Sequence, residues 1–209
     1  AVGGVEVCGR VAGRGRKVKG LAVGDRVAAV TGPNLLGGYA ELCCVHKDYI
    51  IKLPDSICLA LGAAFPVTGQ TAYHLLHTAH HIKRGETIVI HAISGAVGSM
   101  TLQLALKAGA KVIGTVGNRD KARQAQVLGA HLVIDRSRED FVEAVLDFTS
   151  GRGADLVIDS LGGDILRRSF DALRPFGRVI NIGEASGYPD FDIRPVLYQR
   201  STSLAGFAF

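Results

Sequence analysis

The sequence predicts an α/β protein with a doubly wound parallel sheet over residues 62–209, preceded by a β-rich domain over residues 1–61. From residue 62 onward, apolar strand-like runs alternate with helix-like segments of about 10 to 15 residues, which is the pattern of βαβ units. The strand-like runs are apolar throughout, as expected when helices cover both faces of a sheet. Before residue 62, short apolar runs are separated by glycine turns, which favours strands and hairpins.

In the β-rich part, "VEVCGRVAG", "DRVAAV" and "YAELCCV" are each predicted to be strands. The basic segment "RGRKVKGLAVGD" lies between the first two. We interpret it as a solvated hairpin loop rather than a nucleic-acid patch, because no aromatic residues interleave with its charges.

The second part begins with a predicted helix, "LGAAFPVTGQTAYHLLHTAHHI", broken near Pro66. The predicted strands that follow are "TIVIHA", "KVIGTV", "HLVID", "ADLVIDS" and "GRVINIG". The predicted helices between them are "AVGSMTLQLALKAG", "DKARQAQVLGA", "REDFVEAVLDFT" and "GDILRRSFDAL". The final run, "STSLAGFAF", is predicted to be the last strand, at an edge of the sheet.

The net charge and the cysteines indicate which ligands and which redox environment to expect. The 209 residues carry a formal net charge of +5, which favours anionic ligands such as nucleotides. The four cysteines form no C-x-x-C pair, so we expect reduced thiols in a cytoplasmic protein. We expect no signal peptide and no membrane span. Because the chain opens and ends in strand-like runs, we also expect it to be a piece of a longer polypeptide.

The stretch "HAISGAVGSM", residues 91–100, reads as the end of a strand, a small-residue turn and the start of a helix. In dinucleotide-binding folds such a turn holds the pyrophosphate, usually with the pattern G-x-G-x-x-G. Gly95 and Gly98 match the second and third glycines of that pattern. The sequence therefore predicts a phosphate site formed by Ser94, Gly95, Ala96, Val97 and Gly98.

Two other interpretations of this turn remain open. It can serve close helix–strand packing without a ligand. It can also be a nucleophile elbow that exposes Ser94, since the flanking residues are small. The continuing series of βαβ units favours the nucleotide interpretation over the hydrolase.

Several segments occur together in one order: "GGVEVCGRV", "VGDRVAAV", "GGYAEL", "TGQTAYHLL", "HAISGAVG", "DLVIDSLGG" and "GRVINIG". With these segments the sequence resembles the medium-chain dehydrogenase/reductase superfamily, in its zinc-free quinone oxidoreductase (zeta-crystallin-like) branch. The resemblance implies a Rossmann-type sheet preceded by part of a GroES-like catalytic domain. Two positions depart from the family pattern: Ile93 stands where the family has a small residue, and Ala96 replaces the second of two adjacent glycines.

The resemblance also implies an activity. We expect an NADPH-dependent oxidoreductase that transfers hydride to a quinone or an α,β-unsaturated carbonyl and forms a homodimer through its last strand. The alternatives are an enoyl reductase acting on acyl thioesters and a low-turnover NADPH-binding protein that binds RNA through its basic surface. No acid–base pair stands out in the sequence, so the catalytic residues stay unassigned.

The expected preference for NADPH rests on the second Rossmann strand. In NAD enzymes an acid at the end of that strand binds the ribose 2′-OH, but here the position is Val116. Asp120 lies beyond the strand, where the helix dipole explains an acid. Lys121 and Arg136 match family positions that meet the 2′-phosphate, and Arg119 is a further candidate. The competing interpretation is that these are ordinary surface cations.

The remaining cofactor candidates follow from the resemblance and from the rule that ligands bind at the carboxyl ends of parallel strands. For each single polar residue among them, a capping or turn role is an equal alternative. They are Thr68 and Thr71 toward the nicotinamide, Gly117 and Asn118 after the second strand, Ser160, Asn181 and Gly183 at later strand ends, and Gly206 and Phe207 near the nicotinamide edge.

No zinc is expected. Zinc-dependent members of the superfamily have ligands at the positions of Val5 and Ala64, and neither residue can coordinate a metal. His74, His77 and His81 have i, i+3, i+7 spacing on a predicted helix, beside His80. We interpret them as a solvated helix face rather than a metal site, because no carboxylate joins the spacing.

Overall fold

The computed structural model describes residues 2–32, 34 and 36–208, and the backbone alone of Arg119. The chain forms two compact units, residues 1–70 and 71–209. The domain boundary predicted at residue 61 stays a prediction. The four cysteines are free thiols. Within the described residues, none of the helices is long and apolar enough to span a bilayer.

The first unit contains a three-stranded antiparallel sheet in the order β1-β2-β3. Its strands are β1 (Glu6–Arg10), β2 (Arg26–Val30) and β3 (Ile50–Lys52), and helix α1 (Leu59–Ala63) follows them. The predicted strands "VEVCGRVAG" and "DRVAAV" are confirmed as β1 and β2. The basic segment between them connects this hairpin and is mostly exposed, as predicted.

The strand predicted at "YAELCCV" is wrong. Residues 36–46 contain no strand, and the third strand is β3 instead. Tyr39 and Leu42 are 83% and 77% exposed, so the apolar residues of this segment are not buried as strand residues would be. The amides of Gly37, Gly38 and Tyr39 bond to carbonyls of residues 2–4 and not in a strand ladder.

The second unit holds a larger sheet with helices between its strands. Helix α2 (Thr68–His77) begins in the first unit and continues into the second. The strands are β4 (Thr87–Ile90), β5 (Lys111–Val116), β6 (Leu132–Asp135), β7 (Ala154–Asp159), β8 (Leu173–Asn181) and β9 (Ser203–Gly206). The helices are α3 (Ala96–Lys107), α4 (Ala122–Val127), α5 (Phe141–Phe148), α6 (Gly163–Ser169) and α7 (Ile193–Tyr198).

The six strands pair in parallel in the order β6-β5-β4-β7-β8-β9. Renumbered from β4, this is the order 3-2-1-4-5-6 of the Rossmann fold. The predicted doubly wound parallel sheet is therefore confirmed, with β9 at one edge. The order in which successive strands are added to the sheet reverses between β4 and β7. In this fold, dinucleotides bind in the crevice at the carboxyl ends of these two central strands.

The core lies on both faces of the sheet. Ile88 and Ile90 of β4 belong to a buried cluster with Leu102 of α3. Val89, which alternates with them, belongs to a second cluster that includes Phe141 of α5. Because successive strand residues point to opposite faces, burial on both faces explains why residues 88–90 of β4 are all apolar.

Two features differ from the predicted helices. The predicted break near Pro66 is confirmed, but α2 ends at His77 and His81 adopts a left-handed φ of 66° outside it. The sequence analysis also missed α7, whose first turn contains Pro195. Proline is tolerated there because first-turn amides lack intrahelical partners, and Asp192 caps the helix by accepting from the Arg194 amide at 3.0 Å.

A buried carboxylate joins three segments at the start of β7. Asp155 accepts from the Thr87 amide at 2.7 Å, from both terminal nitrogens of Arg152 at 2.9 and 3.2 Å, and from Arg174 Nε at 2.5 Å. Burial alone would raise the pKa of Asp155, but these hydrogen bonds outweigh it and lower the pKa from 3.8 to about 2. Asp155 is therefore ionised and holds β4, β7 and β8 together.

Candidate dinucleotide-binding site

The glycine turn joins β4 to α3 at the carboxyl edge of the sheet. Gly95 is the N-cap of α3 and offers no side-chain cap. The first intrahelical bond runs from the Ser99 amide to the Gly95 carbonyl at 2.9 Å, so the amides of residues 96–98 have no acceptor within the helix. Gly95 and Ala96 are exposed. Unpaired amides at the positive end of a helix dipole favour an anion, so the turn fits a phosphate.

Ile93 does not obstruct this turn. Its side chain is fully buried and points into the core, where it fills the space above Gly114 of β5. A Cβ on Gly114 would lie 2.4 Å from Ile93 Cδ1. The bulky residue that departs from the family pattern is therefore accommodated by a glycine in the neighbouring strand.

Gly98 provides the close approach between α3 and the turn. A Cβ at this position would lie 2.6 Å from the Ala92 carbonyl oxygen and 2.8 Å from Ile93 Cα. Both contacts are with backbone, which cannot move aside as a side chain can. The third glycine of the motif is thus required by packing, in addition to any ligand.

Replacing Gly98 with alanine should destabilise the protein by about 1–3 kcal/mol, because overpacking forces the turn away from α3. Gly13→Ala is the matched control, since a Cβ there meets nothing within 4 Å. Urea unfolding of both variants measures the difference. Equal stability of the two variants would contradict this account of the turn.

The hydrolase interpretation of Ser94 lacks a base. The imidazole beside it in sequence, His91, is buried, and both ring nitrogens are engaged: Nδ1 with Thr115 Oγ1 at 2.9 Å and Nε2 with Ser169 Oγ at 3.0 Å. Among the residues that the structure describes, Ser94 Oγ has no hydrogen bond to an imidazole or a carboxylate. A nucleophilic serine needs such a partner.

The buried His91 is neutral, and its hydrogen bonds fix its tautomer. Ser169 Oγ donates to the Ile165 carbonyl at 2.7 Å, so it accepts from Nε2–H of His91. Nδ1 is then the acceptor for the Thr115 hydroxyl. Burial, with a smaller effect from the charge of Arg136, lowers the pKa of His91 from 6.5 to about 3. His91 therefore ties β4, β5 and α6 together directly beneath the turn.

A second buried polar network lies at the ends of β7 and β8. Asp159 is fully buried, and its carboxylate accepts from the amides of Leu161 and Gly162 and from Asn181 Nδ2. Burial raises the pKa of Asp159, although these hydrogen bonds and the charge of Arg136 oppose the rise. Asn181 Nδ2 also donates to the Gly183 carbonyl at 2.9 Å. The network orders the loops that follow both strands.

The sequence analysis did not single out His91 or Asp159. Each is a titratable residue that directly follows three apolar strand residues, "IVI" before His91 and "LVI" before Asp159. Ionisable side chains are rarely buried unless they are paired. That exception to the apolar pattern is the signal that could have found them.

Arg136 follows β6 and reaches back toward the end of β5. Its Nη2 lies 3.9 Å from where a Cβ of Gly117 would be. Its Nε is buried without a hydrogen-bond partner within the described part of the chain. Burial lowers the pKa of Arg136, while the carboxylates of Asp159 and Asp135 oppose this. A buried donor without a partner beside the end of β5 fits the anionic group of a ligand.

The other two predicted cations differ from Arg136. Lys121 is exposed, and its amide is capped by Asn118 Oδ1 at 3.3 Å, so Asn118 has the local capping role that was its alternative. The side chain of Arg119 lies outside the described part of the structure. Val116 is buried, and it cannot bind a ribose hydroxyl.

The candidates for the nicotinamide side fall in both units. Thr68 belongs to the first unit, where its hydroxyl lies 3.4 Å from Glu6 Oε1 and the Val67 amide donates to Glu6 Oε2 at 2.8 Å. Thr71 is buried in the second unit. There the Phe207 amide donates to the Asn181 carbonyl at 3.0 Å.

The remaining strand-end candidates also lie at the carboxyl edge. Gly206 pairs with Asn181 across β8 and β9, and Ser160 directly follows β7. The Phe207 ring stacks on His74 with centroids 6.3 Å apart. The structure therefore places Ser160, Asn181 and Gly206 at the carboxyl ends of the adjacent strands β7, β8 and β9, and their contact with a cofactor stays a prediction.

The positions of the zinc ligands are occupied by apolar side chains, Val5 and Ala64. Among the described residues, no three His, Cys, Asp or Glu side chains form a group that could hold a metal ion. The predicted His74, His77 and His81 face is not formed, because His81 lies beyond the end of α2. His80 is paired with Glu86 at 2.9 Å instead.

Two family models match the chain. Residues 96–209 match the zinc-binding dehydrogenase model, and residues 1–55 match the alcohol dehydrogenase GroES-like domain. The first of these covers more than half of the chain.

Known proteins resemble the chain over most of its length. A quinone oxidoreductase from Pseudomonas aeruginosa is 40% identical over 184 residues, which are 88% of this chain and 56% of the relative. A 2-haloacrylate reductase from a Burkholderia species is 39% identical over 189 residues, 90% of this chain and 56% of the relative. The chain thus spans about half the length of the curated relatives it matches.

A solved structure of a known protein has the same fold as this chain. The Escherichia coli quinone oxidoreductase complexed with NADPH is 35% identical, with a TM-score of 0.92 over 99% of this chain and 63% of that one. Together with the Rossmann strand order and the glycine turn, these matches establish the family. The chain belongs to the zinc-binding dehydrogenase family of the medium-chain dehydrogenase/reductase superfamily, in its quinone oxidoreductase branch.

Proposed function

We propose that this chain carries the cofactor site of an NADPH-dependent oxidoreductase that transfers hydride to a quinone or an α,β-unsaturated carbonyl. The observation that carries this proposal is the carboxyl edge of the six-stranded sheet. There the start of α3, whose first amides have no acceptor within the helix, and the Nε of Arg136, which has no hydrogen-bond partner among the described residues, are two places suited to phosphate. The similar proteins supply the acceptor class: one is named a quinone oxidoreductase and another a 2-haloacrylate reductase.

The residues of this chain bind and orient the cofactor, and bound NADPH supplies the hydride from its nicotinamide. Ser94, Gly95, Ala96, Val97 and Gly98 hold the pyrophosphate through backbone amides. Lys121 and Arg136 would hold the 2′-phosphate, with Gly117 and Asn118 as neighbouring candidates at the end of β5. The nicotinamide half would be held at the later strand ends of the second unit, where the candidates are Thr71, Ser160, Asn181, Gly183, Gly206 and Phe207.

Steady-state turnover tests the proposal. The purified protein should oxidise NADPH with a small panel of quinones and enones and should not require zinc. Elemental analysis should find well under one zinc per chain, and chelation should leave the rate unchanged. Turnover with acyl thioesters alone would favour an enoyl-thioester reductase instead. Nucleic-acid binding with a steep salt dependence, in the absence of turnover, would favour the RNA-binding alternative.

We further propose a homodimer that forms through β9. This strand ends the order of the sheet and pairs with β8 on one side only within the described residues. An unpaired edge invites pairing with a second copy. Light scattering at micromolar concentration should give the mass of a dimer, and a monomer would contradict the proposal. The cytoplasmic location expected from the four free thiols stays a prediction.

A further inference from the structure

We infer that Asn181 is a specificity-determining residue: its side-chain carbonyl accepts a hydrogen bond from the nicotinamide riboside half of the cofactor. This inference rests on the proposed NADPH site and adds a contact that recognises the nicotinamide riboside half of the cofactor. It concerns the side chain of Asn181, which the sequence analysis gave only as a strand-end candidate with a capping role as its equal alternative.

The orientation of the Asn181 amide follows from its neighbours. One neighbour is Asp159 Oδ2 at 3.0 Å, and the other is the Gly183 carbonyl oxygen at 2.9 Å. A carboxylate and a carbonyl can only accept, so both require the amino group of Asn181. Turning the amide over would place its oxygen against two other oxygens. The amino group therefore uses both of its protons inside the protein.

The carbonyl side of the same amide is left available. Oδ1 of Asn181 has no hydrogen-bond partner among the residues that the structure describes, and the residue is half-buried. A polar atom in such a place normally has a partner in the protein, the solvent or a ligand. Because both protons are used, this side chain offers an acceptor and no donor to whatever binds beside it.

The groups that fix the orientation of the Asn181 side-chain amide are themselves held in place. Asp159 is fully buried, and backbone amides of Leu161 and Gly162 donate to the same carboxylate that receives Asn181. Asn181 itself ends β8, and its backbone carbonyl accepts from the Phe207 amide after β9. The side-chain carbonyl is thus held in place by β7, β8 and the segment that follows β9.

The position of Asn181 in the sheet indicates which half of the cofactor lies beside it. In the Rossmann order, the glycine turn lies at β4 and the candidate 2′-phosphate residues follow β5 and β6. The reactive half therefore falls on the side of β7, β8 and β9. That half offers two kinds of donor, the carboxamide amino group and the ribose hydroxyls. Either can donate to a fixed carbonyl, and a net hydrogen bond is worth about a 2- to 13-fold change in affinity.

Calorimetric binding of three probes to the purified protein separates the possibilities. The probes are NADP⁺, its 3-acetylpyridine analogue, in which a methyl replaces the amide nitrogen, and adenosine 2′,5′-bisphosphate, which lacks the nicotinamide half. The variants are Asn181→Leu and Asn181→Ala, and thermal unfolding reports whether each is folded. The ratio of the two dinucleotide affinities is an internal control, because a general loss of folding weakens both equally.

If the carboxamide is the donor, the wild-type protein should prefer NADP⁺ over the analogue by about 2- to 13-fold, and the variants should bind the two equally. If a ribose hydroxyl is the donor, the variants should weaken both dinucleotides by the same factor and leave the bisphosphate unchanged. Unchanged dinucleotide affinities, or an equal loss for the bisphosphate, would overturn the inference alone. A wild-type protein that binds no NADP⁺ would overturn the proposed function as well.

Discussion

Replacing Asp155 with alanine should destabilise the second unit by about 1–3 kcal/mol, because it leaves the buried Thr87 amide without its acceptor. Arg152, Arg174 and the Thr87 amide all donate to this one carboxylate. The buried amide cannot reach water after the substitution, whereas the side chains of Arg152 and Arg174 are 49% and 30% exposed and can be hydrated. Denaturant unfolding should show the loss as a lower midpoint.

Asp164→Ala is the matched control for this prediction. Asp164 lies 3.7 Å from Arg167, but its side chain is 74% exposed, so the pair is screened by water. Exposed ion pairs contribute about 0–1 kcal/mol. If the two variants unfold at the same denaturant concentration, the cluster around Asp155 does not hold the strands together.

Because the pKa of Asp155 is lowered in the folded state, the free energy of unfolding should depend on pH in the acid range. The pKa of Asp155 is lowered from 3.8 to about 2, so the unfolded state binds a proton more readily than the folded state in this range. The contribution of about 2 kcal/mol is complete above pH 3.8 and is lost as the pH falls toward 2. Acid unfolding of Asp155→Asn should lack this part of the dependence.

The double variant Lys121→Ala/Arg136→Ala should lose about 3–5 kcal/mol of NADPH binding, a few hundred- to a few thousand-fold in affinity, if the two contacts add. Each charge-assisted contact with the 2′-phosphate is worth about 1.5–3 kcal/mol. NADH lacks that phosphate, so its binding should barely change. The measurement is kcat/KM for both cofactors in the wild-type protein and the variant.

Lys107→Ala/Arg123→Ala is the control for total charge, since both residues are exposed on helices α3 and α4. It removes the same two charges and should leave the preference for NADPH intact. A wild-type protein that prefers NADH would show that the 2′-phosphate site is misplaced. So would a double variant at Lys121 and Arg136 that weakens both cofactors equally.

The parallel sheet could be predicted from the sequence because its strands contain short apolar runs that alternate with helix-like segments. The failures lie where the pattern is ambiguous. "YAELCCV" has the composition of a strand, but its apolar residues are exposed, and no local property distinguishes it from β3. Helix α7 was missed because Pro195 reads as a helix breaker, although it is harmless in a first turn.

The part of the candidate site that is formed by backbone amides could be predicted from the sequence. The turn from Ser94 to Gly98 is marked by small residues in a fixed place, between a strand and a helix. The side-chain networks of His91 and Asp159 were not found, because they depend on partners such as Ser169 and Asn181 that are distant in sequence. Spacing along the chain does not show which side chains at neighbouring strand ends hydrogen-bond to one another.

The contact between Ile93 and Gly114 makes the order of mutations matter. A Cβ on Gly114 would lie within 2.5 Å of two carbons of Ile93, so Gly114→Ala is harmful while Ile93 is present. Once Ile93 is alanine, those two carbons are gone and only its Cβ, 2.9 Å from the added methyl, stays close, so the same change at Gly114 should cost less. The cost of changing one position therefore depends on the residue at the other: one order of the two mutations passes through a strained intermediate, and the other passes through a cavity.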